Sequence, residues 1–204
     1  MGNDEDFEIP MNEPVDKIPF PFMGDTLAFD FINTEILWRR KPIDLLTDEH
    51  ALVLWWQTAA THYNLPAAPT VTPELFETAK ALRMNIRRIF YSLVLEQTID
   101  NQALTYLNTT LRQVYVQVAI TPHEFHLHYD TVASSAKPLL PILESVLWLL
   151  TSAEKNRLRK CRNDQCMAYF YDTTKNANRV WCCTDCMNRA RSALHYEQRK
   201  HQES

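Results

Sequence analysis

The chain has 204 residues, 46% of them hydrophobic, which is enough for one medium domain and a small second module. Its net charge of −4 hides an asymmetry: residues 155–204 carry 11 basic and 5 acidic side chains against 10 and 20 over residues 1–154, as expected of two modules with different partners. The only glycines are Gly2 and Gly24, which excludes phosphate-cradling loops and dinucleotide fingerprints, because both need several glycines at fixed spacing.

Residues 1–18 are acidic with scattered prolines and read as a disordered tail. They lack the basic start and apolar run of a signal peptide. The next apolar segment, Leu27-Ala28-Phe29-Asp30-Phe31-Ile32-Asn33-Thr34, reads as helix. Thr47 is a candidate cap for a helix with Asp48 and Glu49 in its first turn and Leu52, Trp55 and Trp56 along it. Leu65 to Pro73 holds three prolines and reads as a linker.

Thr72-Pro73-Glu74 is a strong helix start, followed at helical spacing by Leu75, Ala79, Leu82, Ile86, Ile89 and Leu93. Arg83, Arg87 and Arg88 fall among the off-face positions. Asp100 is positioned to cap a helix from Asn101 to about Gln113. The period then changes to two: Val114, Val116, Val118 and Ile120 alternate, Thr121-Pro122 turns, and Phe125, Leu127 and Tyr129 alternate again, which predicts a β-hairpin. Pro138 to about Arg157 reads as one long buried helix feeding into Cys161. Its apolar part contains Glu144 and two prolines and is too short to span a bilayer, so no membrane association and a cytoplasmic location are expected.

All five cysteines lie between positions 161 and 186. The pattern is Cys161-x4-Cys166, then Cys182-Cys183-x2-Cys186. Two pairs separated by a hairpin-length insert have the spacing of a zinc module. A short loop brings two thiolates to one side of a tetrahedral ion, and a helix start stabilises the charge of the second pair. The odd count, in a chain without a secretion signal, argues against disulfides. Four thiolates leave no position for water, so one structural Zn²⁺ is expected. The ligands are Cys161, Cys166 and Cys186, with either Cys182 or Cys183; spacing alone does not choose between the last two.

These residues resemble the CGNR-type zinc fingers, which look like treble clefs. The resemblance is carried by Cys161 and Cys166, Phe170-Tyr171-Asp172-Thr173-Thr174, Asn176, Arg179, Trp181-Cys182 and Cys186-Met187-Asn188-Arg189. Met187 stands where the family has glycine, which would alter the turn after the last cysteine, and Thr174 where it has serine. The family order places the third ligand directly after tryptophan, which favours Cys182. Leu27 to Thr34, Arg39 and Asp44-Leu45-Leu46 resemble the ABATE domain that usually precedes this finger. The resemblance implies a bacterial transcription regulator that binds DNA through the finger.

The expected fold is therefore α+β but mostly α: a helical domain with a β-hairpin over residues 19–155, then a treble-clef-like finger over 156–204. A helix from about Thr184 to Lys200 would place Ala190, Ala193 and Leu194 on one face. Arg191, His195 and Arg199 form a stripe on another, flanked by Arg189 and Lys200, with Asn188 nearby. These are the candidate nucleic-acid contacts.

Tyr169 and Tyr171 are weighed as base-stacking residues, Phe170 and Trp181 are assigned to the finger's core, and Asp172 is expected to pair with Arg179. Asp30, Asn33 and Arg39, polar groups beside an apolar segment, are candidates either to orient a ligand or to satisfy backbone groups and each other. Trp55 and Trp56 suit core packing better than a pocket, and His123, His126 and His128 suit a hairpin surface better than a metal. Homodimerisation and a small-molecule effector fit a regulator. An adaptor whose basic helix meets an acidic protein, or an enzyme with an accessory finger, are the alternatives. With no nucleophile–base pair and no paired carboxylates at a believable spacing, enzymatic activity is not expected.

Overall fold

The computed structural model describes residues 17–96, 98–120, 125–130 and 136–202. The chain divides into two compact units: Asp48–Ser152 is one, and the residues up to Thr47 together with those from Ala153 onward form the other. In space, the N-terminal segment belongs with the finger.

The Asp48–Ser152 unit is helical. Its first helix, α2 (Glu49–Tyr63), is capped by Asp48 rather than Thr47: the Asp48 carboxylate accepts from the Ala51 N–H at 2.8 Å. α3 (Pro73–Tyr91) starts at the Thr72 cap with proline in its first turn, and α4 (Asn101–Gln113) starts at Asp100, both as the sequence predicts. A π-helical turn, Ser92–Glu96, follows α3. Arg88 of α3 pairs with Asp100 at 2.8 Å and so ties one helix to the cap of the next.

Trp55 and Trp56 are buried core residues in edge-to-face contact at 6.3 Å. Arg83 is buried as well, at 2% exposure, against the expectation of an outward position. It lies four residues after Ala79 and three before Ile86, on the same buried stripe.

The strands β3 (Tyr115–Ile120) and β4 (Phe125–Asp130) form the expected antiparallel hairpin, with His126 opposite Ala119 and His128 opposite Gln117. Thr121, Pro122 and His123 lie outside the described residues, as do the side chains of His126 and His128. The last helix, α5 (Leu140–Thr151), ends well before the predicted Arg157. The Ser152 N–H makes the last helical bond, to the Trp148 carbonyl, and the Thr151 hydroxyl donates back to the Leu147 carbonyl. A 3-10 turn (Lys155–Arg157) and strand β5 (Leu158–Lys160) lead to Cys161 instead of a helix.

The other unit begins with a short buried helix, α1 (Leu27–Ile32), capped by Thr26. A two-stranded hairpin, β1 (Glu35–Trp38) and β2 (Lys41–Asp44), follows. No turn signal in the sequence marks it. Its turn residues Arg39 and Arg40 have φ of 49° and 63°, and such turns normally announce themselves with Asn-Gly. Ile18, Ile36 and Leu45 form a small core with this hairpin. β5 pairs with β6 (Tyr169–Tyr171), and α6 (Thr184–Gln202) closes the unit. Among the described residues no helix is long and apolar enough to cross a membrane.

Candidate metal centre

Strand β5 delivers Cys161, whose N–H donates to the Ala168 carbonyl at 2.9 Å and closes the first loop. Within that loop the Cys166 N–H donates to the Asn163 carbonyl at 2.9 Å, and the Ala168 N–H points at Cys166 Sγ from 3.5 Å. Asn163 is buried. Its Oδ1 accepts from the Gln165 N–H, and its Nδ2 donates to the Cys186 carbonyl at 3.0 Å. One side chain therefore ties the loop carrying two thiols to the first turn of α6. Sequence reasoning missed Asn163, because nothing in the spacing signals a partner 23 residues away.

The sulfurs of Cys161, Cys166, Cys182 and Cys186 all lie within 4.8 Å of one another. Cys166 and Cys182 are 3.7 Å apart, and Cys182 and Cys186 are 3.5 Å apart. A tetrahedral zinc ion with Zn–S bonds near 2.3 Å requires sulfurs about 3.8 Å apart, so the donor set fits in both chemistry and geometry. All five thiols are free of disulfides.

Packed this closely, Cys161, Cys182 and Cys186 do not ionise independently. Hydrogen bonds from Cys166, Cys182 and Cys186 draw the Cys161 pKa down, while Cys182 and Cys186 are pushed up, chiefly by contact with Cys161 and Cys166. A divalent cation at the centre resolves that conflict. Cys183 lies outside the group of four: its sulfur is 3.9 Å from that of Cys182, and its side chain is half-buried. The geometry thus groups Cys182, not Cys183, with the other three cysteines.

Phe170 is fully buried under the thiols, with Trp181 and Met23 packed against the same cluster. Tyr169 is buried too and stacks on Phe29 at 6.2 Å, so it offers no face to a base. Asp172 receives the Arg179 backbone N–H at 2.7 Å, the Thr174 N–H at 3.0 Å and the Thr174 hydroxyl at 2.6 Å. The Arg179 guanidinium itself lies over the Phe170 ring at 4.3 Å and pairs with Asp25 at 2.6 Å. The expected Asp172–Arg179 pairing therefore runs through Arg179's backbone, and its ion pair reaches the N-terminal segment.

The candidate ligand-orienting residues hold the unit together. Asp30 accepts the Gly24 N–H at 2.6 Å. Asn33 Nδ2 donates to the Tyr169 carbonyl at 2.8 Å, and its Oδ1 accepts the Tyr169 N–H at 2.9 Å. The Gly24 carbonyl accepts the Tyr171 N–H at 2.9 Å. Together Gly24 and Asn33 satisfy the edge of β6 that β5 leaves open. Arg39 sits at the hairpin turn with its guanidinium 4.0 Å over the Trp38 ring.

On α6, Asn188, Arg191 and Arg199 are exposed. Arg189 is half-buried and donates from Nη2 to Cys186 Sγ at 3.1 Å. Ala190 is half-buried and Ala193 is exposed, so the packing face expected of the two alanines does not extend to Ala193. The side chains of Leu194, His195 and Lys200 lie outside the described ones. Met187 is an ordinary turn of α6, its N–H donating to the Cys183 carbonyl, so glycine is not needed there.

Sequence comparison agrees with this geometry. Residues 157–199 match the model of the CGNR zinc finger, and residues 25–153 match the ABATE model, described as a "putative stress-induced transcription regulator". The chain belongs to the ABATE family. No curated protein matches it by sequence. This ABATE-family protein carries a CGNR zinc finger whose four clustered cysteines suit one zinc ion. Asn33, one of the two residues that clamp β6, lies within the ABATE match.

Proposed function

We propose that this ABATE-family protein is a cytoplasmic transcription regulator that binds duplex DNA through α6. The observation that carries the reading is the exposure of Arg191 and Arg199 on a helix whose first turn holds a zinc ligand. Arg191, Ser192 and Ala193 are exposed in succession. Three successive positions sweep about 200° of a helix, so this turn stands clear of its own unit and is open to a groove or a phosphate backbone. The balance of +6 over residues 155–204 supplies the attraction for a polyanion. Asn188, exposed one turn earlier, is placed to bond a base edge or the backbone.

The Asp48–Ser152 unit would serve regulation, by dimerising or by sensing an effector, with no catalytic step assigned to it. It exposes Leu54, Met84, Tyr91, Leu95 and Trp148, apolar surface that a second copy would cover. Analytical ultracentrifugation of the zinc-loaded chain reads this directly.

DNA binding is tested by fluorescence anisotropy of the zinc-loaded chain with mixed-sequence duplex across a salt series. Each lost phosphate contact lowers the slope of log K against log salt by about 0.9. Arg191→Glu/Arg199→Glu should weaken binding at least tenfold at low salt and flatten the slope. No binding by the folded, zinc-loaded parent at low salt would sink the reading and favour an acidic protein partner for the helix.

A further inference from the structure

Arg189 stands apart from the exposed cations of α6. Its Nη2 lies 3.1 Å from Cys186 Sγ, and its Nε reaches the Asp185 carbonyl at 3.4 Å. Four thiolates around a dication leave a net charge of −2, and three of the sulfur-bearing residues are 5% exposed or less. Buried charge of that size requires compensation. Arg179 is held by Asp25 and Phe170, and Arg157 by Glu154 and two backbone carbonyls. Among the described hydrogen bonds, Arg189 is the cation that reaches a ligand sulfur. It also lines a pocket with Met23, Leu37, Met167, Cys166 and Cys186, beside the thiols.

We propose that Arg189 is a positioning residue of the zinc site, not a nucleic-acid contact. Its hydrogen bond draws charge from the Cys186 thiolate, which strengthens zinc retention and lowers the nucleophilicity of that sulfur. Partners of metal ligands typically change metal affinity 10–100-fold. The half-buried guanidinium is turned toward the sulfur at 3.1 Å, unlike the exposed Arg191 and Arg199.

The test uses the full, zinc-loaded chain with Arg189→Met, Arg189→Lys and, as control, Arg191→Met. Zinc transfer to a chromogenic chelator and iodoacetamide labelling of each cysteine, mapped by mass spectrometry, are measured together. Arg189→Met should lose zinc about 10–100-fold more readily, with Cys186 labelled ahead of Cys161. Arg189→Lys should fall between it and the parent, since lysine keeps the charge without the planar fork, and the control should match the parent. Parent-like zinc retention and labelling in Arg189→Met, or equal labelling of all cysteines, would overturn the proposal. If Arg189→Met does not fold, faster Cys186 labelling in Arg189→Lys supports the proposal and parent-like labelling overturns it. Weaker DNA binding with unchanged zinc retention would return Arg189 to the phosphate-contacting surface.

Discussion

The side-chain amide of Asn33 pairs with the backbone of Tyr169 as a neighbouring strand would, giving one N–H and taking one. The two residues are 136 positions apart, and both are buried at 1% exposure. The finger's inner strand is thus completed by the N-terminal segment.

Replacing Asn33 with Ala removes both bonds and strands a buried N–H and C=O. At about 1–3 kcal/mol for each of the two unsatisfied groups, the variant should lose about 2–6 kcal/mol. Urea unfolding of the zinc-loaded chain, followed by Trp fluorescence, measures this. A loss below about 0.5 kcal/mol would mean that the clamp does not stabilise the unit.

Gly24 makes a second, sharper test. A Cβ there would meet Phe29 Cβ at 2.5 Å and both the backbone N and the carboxylate of Asp30 at 2.9 Å. The Phe29 Cβ and the Asp30 backbone cannot swing aside as a side-chain end can, so the contact cannot relax cheaply. Gly24→Ala should cost about 1–3 kcal/mol by overpacking. It should also weaken the Gly24–Tyr171 bond, and so raise amide hydrogen exchange at Tyr171. Unchanged exchange there would separate Gly24 from the clamp.

Local signals made the zinc ligands and most helix starts legible. Thr72-Pro73 and Asp100 cap their helices as read, because caps act within three residues of themselves. The cysteine pairs were legible because tetrahedral geometry restricts their spacing. Gly24 and Asn163 were not, and the backbone-satisfying role open to Asn33 came without a partner, because each bonds to a backbone group that no residue identity specifies. The helix read on toward Arg157 stops at Thr151, and a 3-10 turn and the short strand β5, paired with β6, follow it.

The β1–β2 turn stores strain that can be relieved. Arg39 and Arg40 both occupy left-handed backbone, which costs a non-glycine residue about 1–2 kcal/mol. Arg39→Asn/Arg40→Gly fits the same turn at lower cost and should raise stability by about 1–2 kcal/mol, less what is lost from the Arg39–Trp38 contact. Thermal denaturation of the zinc-loaded variant checks the sign. A lower Tm would show that the arginine contacts outweigh the backbone strain.

The last prediction concerns pH. Burial raises the Asp172 pKa, but hydrogen bonds from the Thr174 hydroxyl, the Thr174 N–H and the Arg179 N–H, with the charge of Arg179, lower it further, so the net shift is downward. A carboxylate depressed in the folded state contributes stability that is complete above its unfolded pKa of about 3.9 and is lost as pH falls through the folded value. The zinc thiolates titrate in a different window. Unfolded cysteines bind protons below about pH 8.5 and zinc-bound ones do not, so stability declines continuously as pH falls from there and zinc is released. Asp172→Asn should therefore lower stability by about 2–3 kcal/mol through its lost charge-assisted bonds. That penalty should be the same at pH 6 and pH 8, although both proteins are weaker at pH 6. Paired urea titrations at the two values, with zinc content measured in each, test the separation. A penalty that shrinks between pH 8 and pH 6 would mean that Asp172 titrates with the metal site instead of independently of it.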